Sequence, residues 1–339
     1  MKALSRVGII GCGRISGWNE LDPDREKPCT HVGAYRMRAD VLIAGCCDLN
    51  LQMAEKFATN FNIPFFTDSV AELLKEKLDI VSVCIPYKFN RATISKIARS
   101  KNKPKKILLE KPIADNLSDA KKILELCDQN NIKLYVNNRR LSPFYQNFKK
   151  VIAEKFQNKI ISIGAWCSSG MHTIGIHMVD LLRSVAGDVD SVYATCEKEC
   201  VHKLPYSANF TPDDLRYNAF IVFKNGIEAM LFNSARTDYT FFEVEAICKT
   251  GRVRAADNGN RLMYQEKITP KGSTLSYRLG KENEVHVSKE PLFKRLIDEV
   301  IDGSYKNSPI NGQEALKSYQ VIEAMKKSAR TRKVQYIND

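Results

Sequence analysis

Between residues 6 and 137 short apolar runs alternate with amphipathic stretches, and this alternation constrains the fold more than any other feature of the chain. The apolar runs are RVGII (6–10), VLIAGCCD (41–48), IPFFTD (63–68), DIVSVCIP (79–86), KILLE (106–110) and IKLYVN (132–137). Between them lie helix-like segments around HVGAYRM, QMAEKFATNF, SVAELLKEK, ATISKIARS and SDAKKILELCDQN. Ser69 stands where a hydroxyl caps the exposed amides of a first turn, and the last of these helices begins at Ser118. DIVSVCIP is apolar almost throughout, as a parallel strand covered on both faces must be. Six strands separated by helices predict a doubly wound parallel sheet with right-handed crossovers. Its ligands bind outside the carboxyl ends of the strands.

The strand ends therefore carry the argument, and they are Gly11–Gly13, Asp48, Pro86–Tyr87, Glu110–Lys111 and Asn137–Arg140. The first, Gly11-Cys12-Gly13-Arg14-Ile15-Ser16, is a dinucleotide fingerprint with serine in the last place. The first glycine permits the tight turn, the second lets a pyrophosphate approach backbone amides, and the third place needs only a small residue. Gly11, Gly13, Arg14 and Ile15 are the expected cofactor contacts, with Asp48 accepting hydrogen bonds from an adenosine ribose. A carboxylate there repels a 2′-phosphate, so NAD is favoured over NADP, while Arg14 and the positive net charge keep NADP open. The stretch 16–40 is longer than such a turn requires and reads as an inserted loop over the cofactor.

After Asn137 the alternation stops. KIISIGAWCS (159–168) and SVYATCEKE (191–199) read as strands. AFIVFKNGIEAMLF (219–232) and FFEVEAICKTGRVRAAD (241–257) read as hairpins turning at Asn225-Gly226 and Thr250-Gly251 through positive φ. Two helices follow, in KEPLFKRLIDEVIDG and GQEALKSYQVIEAMKKSA. The expectation is an α/β chain with a Rossmann domain over 1–137 and, over 138–339, a substrate-binding and oligomerisation α/β domain built on a large, mostly antiparallel open sheet. The uncovered sheet face suits a homo-oligomer, a dimer or tetramer. Within this half, 171–188 reads as one helix. At 100° per residue Ile174, Met178, Leu181, Leu182 and Val185 form an apolar stripe, Thr173, His177 and Asp180 share another face, and Gly187 ends the helix.

Composition closes off several classes. A length of 339 residues exceeds what one core sustains, which supports two domains. No apolar run is long enough to span a bilayer and no secretory cleavage pattern follows the N-terminus, so a cytoplasmic protein without membrane association is expected. The 10 cysteines are dispersed and several lie in apolar runs, which suits buried thiols. Cys196, Cys200 and His202 lie close in sequence but lack a second ligand pair, so no metal is expected. The formal net charge of +13 includes KNKPKK (101–106) and KKSARTRK (326–333), yet no aromatic-basic platform accompanies them. They read as solvated lysines and arginines, not as a nucleic-acid surface, and the charge favours an anionic small molecule.

GCGRIS, Asp48, IVSVCIP, LLEKPIA and GIHMVDLL, in this order and on these elements, resemble the Gfo/Idh/MocA oxidoreductases, named for glucose-fructose oxidoreductase and inositol dehydrogenase. The resemblance covers nearly the whole chain. It implies hydride exchange between a nicotinamide cofactor and a sugar, cyclitol or nucleotide-linked sugar. It also implies that Lys111 is the catalytic lysine, that His177 is the acid/base, and that Pro86 and Glu110 neighbour the nicotinamide, with Tyr87 and Asn90 beside them. Two departures stand out. Thr173 occupies a place where many members have aspartate, and Asn90 one where many have histidine.

The chemistry agrees with that assignment. Proline forces the residue before it out of the α region, so Lys111 projects from the strand end instead of opening a helix. Hydride leaving an alcohol carbon requires its hydroxyl proton to leave too. His177 titrates near neutrality and is the better base, and Lys111 then fixes the substrate oxygen, although at this level the two roles are interchangeable. The expectation is that both converge over one nicotinamide ring. Arg140, Arg236 and Tyr239 are further candidates for substrate hydroxyls or phosphate, and Thr173 joins the catalytic set by position. Thr173 also keeps a second class open, a cofactor-binding sensor or regulatory protein without redox chemistry.

Overall fold

The structure, a computed structural model, describes residues 4–197, 214–234, 237, 239–269, 277–287 and 290–337. The chain forms two compact units, Met1–Leu141 with Glu290–Leu316, and Ser142–Lys289 with Lys317–Asp339.

In the first unit the strands are β1 (Ser5–Ile10), β2 (Val41–Cys47), β3 (Phe66–Thr67), β4 (Ile80–Val83), β5 (Lys106–Leu109) and β6 (Lys133–Val136). The helices between them are α1 (His31–Arg36), α2 (Leu51–Asn60), α3 (Val70–Leu73), α4 (Asn90–Arg99) and α5 (Leu117–Gln129). Among the described residues the strands pair in parallel as one six-stranded sheet, in the order β3-β2-β1-β4-β5-β6. This is the expected doubly wound sheet. Its order reverses between β1 and β4, which opens a crevice at their carboxyl ends. β4 is buried at every position, in keeping with its unbroken apolar run.

Two clusters hold the sheet. Ile9, Val32, Cys46, Phe57 and Phe61 pack together with Trp18 against them. Val7, Tyr35, Ile80, Leu108 and Tyr135 form the other with Leu296, Ile297 and Val300, which belong to α8 (Leu292–Asp302). Each such buried side chain is worth about 1.5–3 kcal/mol in transfer from water. Lys106 Nζ donates to the Val300 and Ile301 carbonyls at 2.7 and 3.0 Å, satisfying acceptors in the last turn of α8. Residues 290–316 therefore belong with the first unit, whereas the sequence suggests one cut at 137. An amphipathic helix does not encode which sheet it covers. A second difference is local: α5 starts at Leu117 instead of Ser118, because Asn116 caps it, its Oδ1 accepting from the Asp119 amide at 2.9 Å. Ser69 caps α3 as expected.

The second unit contains α6 (Pro143–Phe156), α7 (Ile176–Ala186) and most of α9 (Gly312–Thr331). Its strands are β7 (Ile160–Ser168), β8 (Val189–Glu197), β9 (Arg216–Phe223), β10 (Glu228–Ser234), β11 (Phe242–Cys248), β12 (Gly251–Ala256), β13 (Arg261–Ile268), β14 (Arg278–Leu279), β15 (Asn283–Val285) and β16 (Gln335–Tyr336). Among the described residues they form one mixed sheet, in which β7 and β10 run parallel and the other pairs are antiparallel.

Both predicted hairpins form, with turns of a different kind. At the first, Gly226 takes φ 84° and Asn225 does not, giving a three-residue loop in which Phe223 accepts from the Gly226 amide at 2.9 Å. At the second, neither Thr250 nor Gly251 is among the positive-φ residues. Gly251 serves close approach instead: a Cβ there would lie 2.2 Å from the Gln265 carbonyl oxygen and 2.4 Å from the Phe156 ring. No helix among the described residues is long and apolar enough to cross a membrane.

Candidate active site

The glycine turn follows β1. Gly11 has φ 91°, and a Cβ on it would stand 2.5 Å from the Cys84 carbonyl oxygen at the end of β4, so a side chain is excluded twice over. Ser16 is buried and its hydroxyl donates to the Gly11 carbonyl at 2.5 Å, so the last fingerprint position clamps the turn as well as being small. Gly13 is exposed, and a Cβ there would meet nothing within 4 Å. The backbone at Gly13 thus faces open space, which is what close approach of a pyrophosphate requires. Asp48 is half-buried at the end of β2, with Oδ2 accepting from the Cys12 amide at 2.9 Å and Oδ1 from the Asn50 amide at 3.0 Å. A carboxylate has acceptor positions to spare beyond these two, and they fit ribose hydroxyls.

The inserted segment is fastened to this turn. Trp18 Nε1 donates to the Cys12 carbonyl at 2.9 Å, and the exposed Arg14 donates through Nε to Asn19 at 3.2 Å. Glu20 receives the Cys29 amide at 3.1 Å and the Thr30 hydroxyl at 2.7 Å, setting the start of α1. Ile15 is half-buried and its carbonyl accepts from the His31 amide at 3.2 Å.

At the end of β5 the Glu110-Lys111-Pro112 turn is held from both sides. Glu110 Oε1 accepts from His31 Nε2 at 2.9 Å and from Asn137 Nδ2 at 2.7 Å. His31 is completely buried, its Nδ1 lies 3.1 Å from Ser82 Oγ, and that hydroxyl lies 2.9 Å from the Tyr35 hydroxyl. Burial alone would push the His31 imidazole down, but the Cys84 sulfur and the Glu110 carboxylate outweigh it and raise the pKa to about 10. Burial would likewise raise Glu110, yet the His31 bond and charge, Asn137 and Lys111 hold it below its ordinary value. The pair is therefore ionised near neutral pH. On the other side, buried Asn90 donates through Nδ2 to the Pro112 and Ile113 carbonyls at 3.3 and 3.1 Å. Glu110 and Asn90, which the sequence suggests as cofactor neighbours, thus have side chains that brace the Lys111 turn. Lys111 is half-buried, and Pro86 and Tyr87 open the turn after β4, exposed and half-exposed respectively. His31 was not singled out by sequence, because its partner stands 79 residues away.

In the second unit the helix expected over 171–188 begins irregularly. Met171–Gly175 is π-helical, with the Gly175 amide reaching back to the Gly170 carbonyl at 3.1 Å, and regular α-helix starts at Ile176. The 100° progression therefore fails over the first turn, so Thr173 does not share a regular helical face with His177. This turn is held by Asp214, which is 3% exposed. Its Oδ1 accepts from the His172 amide at 2.6 Å, and its Oδ2 accepts from the Thr173 amide at 3.0 Å and the Thr173 hydroxyl at 2.5 Å. A Cβ on Gly170 would fall 2.0 Å from this carboxylate, which explains the glycine. Thr173, the departure from the family pattern, is thus supplied with a carboxylate from another part of the chain. Nothing in the local sequence points to it.

His177 on α7 is 8% exposed, and Asp180 one turn on is fully buried. Asp180 Oδ1 accepts from Ser318 at 2.9 Å, whose hydroxyl accepts from Arg183 at the same distance. Arg140 is buried and pairs with Glu314 at 3.0 Å, so its charge is already engaged. Tyr239 is 62% exposed beside Phe241. Arg236 lies outside the described residues, as do Cys200 and His202. Among the described residues no group of three or more His, Cys, Asp or Glu could hold a metal ion.

A doubly wound sheet with this glycine turn and a carboxylate at the end of its second strand defines the first unit as a dinucleotide-binding domain. Residues 5–138 match the family model described as an oxidoreductase family with an NAD-binding Rossmann fold, and residues 163–254 match the C-terminal domain of the same family. The chain belongs to the Gfo/Idh/MocA oxidoreductase family. A D-glucoside 3-dehydrogenase of Escherichia coli (strain K12) is 34% identical over 86 residues, a stretch that is 25% of this chain and only 21% of that protein. Solved structures share the fold at lower identity. An NAD-binding oxidoreductase from Klebsiella pneumoniae superposes with TM-score 0.76 at 15% identity, covering 99% of this chain and 100% of its own. The WlbA dehydrogenase from Bordetella pertussis, in complex with NADH and UDP-GlcNAcA, gives 0.74 at 19% identity over 99% of both chains. An oxidoreductase from Agrobacterium radiobacter in complex with NAD+, L-tartaric acid and magnesium gives 0.73 at 18% identity over 98% of both.

Proposed function

We propose that this protein moves hydride between NAD and a hydroxyl or keto carbon of a sugar, cyclitol or nucleotide-linked sugar. The observation that carries the proposal is Lys111, held at the carboxyl end of a central strand by a turn pinned through Glu110 and Asn90. The dehydrogenase similarities support the substrate class, and the formal net charge of +13 suits an anionic member of it. Bound nicotinamide supplies the hydride acceptor or donor. Gly11, Gly13 and Asp48 orient the dinucleotide, and the Asp48 carboxylate disfavours a 2′-phosphate. The Lys111 ammonium fixes the substrate oxygen and stabilises charge developing on it. His177 takes the proton that the hydroxyl gives up, and Thr173, fixed by Asp214, orders the residues leading into that helix.

With a panel of sugars and sugar nucleotides, the protein is expected to change nicotinamide absorbance with at least one. Lys111→Ala is expected to lose turnover while keeping NAD affinity within a few-fold. Normal turnover by that variant would defeat the assignment.

A homo-oligomer is supported by the sheet face bearing Tyr193, Phe220 and Met230, which lie opposite one another in register and are 41%, 40% and 49% exposed. Phe232 and Trp166, adjacent in register, extend this apolar stripe. Met230→Glu with Phe232→Glu is expected to yield monomers in light scattering, and an unchanged mass would exclude this face. The buried thiols of Cys47, Cys127 and Cys248, pushed up by burial to about 12, 12 and 11, suit a reducing compartment such as the cytoplasm. Cell fractionation tests that location.

A further inference from the structure

The buried ion pair next to Lys111 has no evident need to be ionic. A glutamine at position 31 could donate to Glu110 and accept from Ser82 in the same place, so hydrogen bonding alone does not demand a histidine. What histidine adds is a proton. Glu110 is the residue before Lys111, its side chain is only 12% exposed, and its charge and that of Lys111 stabilise each other. Without compensation, a poorly solvated carboxylate so close would hold Lys111 as an ammonium ion across a wide pH range. A lysine locked in that way fixes an oxygen but exchanges protons poorly.

We infer that His31 is a positioning residue for Lys111, whose imidazolium, hydrogen-bonded to Glu110, cancels the field of that carboxylate and leaves the lysine able to give up its proton. The inference rests on the reading of Lys111 as the residue that meets the substrate oxygen, and adds to its ammonium role the passing of a proton to that oxygen when a carbonyl is reduced. Geometry restricts the participants. His31 faces Glu110 from β5, Ser82 and Cys84 from β4 and the Phe293 ring of α8 at 5.4 Å, with the Tyr35 hydroxyl beyond Ser82. Glu110 faces His31, Asn137 and Lys111. Within this group, His31 Nε2 hydrogen-bonds Glu110 Oε1 at 2.9 Å. The raised imidazole pKa of about 10 agrees with a proton kept there at physiological pH.

The test reads Lys111 itself and needs no substrate. The full chain with NAD+ is labelled with an amine-acylating reagent from about pH 7 to about pH 11, and the Lys111 peptide is quantified by mass spectrometry. His31→Gln is expected to raise the labelling midpoint of Lys111 by about half a pH unit or more, as an uncompensated neighbouring charge does. His31→Gln with Glu110→Gln is expected to return it to the wild-type midpoint or below. Glu110→Gln alone removes the carboxylate together with part of what holds the His31 proton, so its midpoint is expected at or below that of the wild type, which keeps the inference testable if the histidine variant does not fold. An unmoved midpoint in His31→Gln or a raised one in Glu110→Gln overturns the inference, as does a raised midpoint that persists in the double variant. Normal turnover by Lys111→Ala would remove the catalytic reading of that lysine and leave the labelling result standing, so the two failures are distinguishable.

Discussion

Replacing Asp214 by asparagine isolates one buried carboxylate with three donors. Its oxygens receive two backbone amides and the Thr173 hydroxyl, at 2.6, 3.0 and 2.5 Å. Hydrogen bonds to an ionised group are worth about 1.5–3 kcal/mol each, roughly twice a neutral bond. An asparagine offers a single oxygen and turns its NH2 toward one of the donors, so at least one amide loses its partner. His172 and Thr173 are themselves half-buried, and water recovers part of that loss. The expected cost is about 2–3 kcal/mol, or a fall of roughly 4–12 °C in the melting of the second unit. Thr173→Val removes only the hydroxyl bond and should cost about 1.5 kcal/mol, the low end for one bond to an ionised group. Calorimetry of both variants, with hydrogen exchange of the amides at 172 and 173, measures these quantities. An Asp214→Asn protein that melts with the wild type and exchanges those amides no faster would refute the view that this carboxylate shapes the π-helical start of the helix.

Gly11→Ala and Gly13→Ala should separate folding from cofactor binding. The first meets a carbonyl oxygen at 2.5 Å with φ 91° and is expected to lower thermal stability markedly, while the second meets nothing and should melt like the wild type yet bind NAD at least about tenfold more weakly. Calorimetry and a cofactor titration read both. The His31–Glu110 pair gives a pH dependence with a definite sign. His31 rises from 6.5 to about 10, so its stabilisation is complete below about pH 6.5 and is lost as pH climbs through 10. Glu110 lies below its ordinary 4.5, so its share is present above about pH 4.5 and lost in acid. The stability difference between wild type and His31→Gln should therefore be largest between about pH 4.5 and 6.5 and shrink toward pH 10, and a difference that grows with alkalinity would contradict the pairing.

Much of the first unit is legible in the sequence because its strands are continuous apolar runs, which only a sheet covered on both faces accommodates. Their polar ends could then be named without coordinates, including Gly11, Asp48, Glu110 and Lys111. The features that escaped are those in which two distant segments supply one local structure. His31 and Glu110 are 79 residues apart, and Thr173 and Asp214 are 41 apart. Ser118 and Asn116 both suit the start of a helix, and the Asn116 cap places that start at Leu117. Periodicity at 100° assumes an unbroken α-helix, which the backbone bond from Gly175 to Gly170 violates. Thr250-Gly251 looks like a positive-φ turn, but that glycine is there because the Phe156 ring and a neighbouring strand leave no room for a Cβ.

Because Leu296, Ile297, Val300 and Ile310 complete a core whose other buried members come from the first 141 residues, the dinucleotide-binding unit is discontinuous along the chain. During synthesis its sheet can form early but has to wait for nearly the whole polypeptide to emerge before that apolar surface is sealed. A fragment cut after Leu141 would leave Val7, Ile80 and Leu108 without their cover and be prone to aggregate, whereas grafting 290–316 behind it would restore a self-sufficient module.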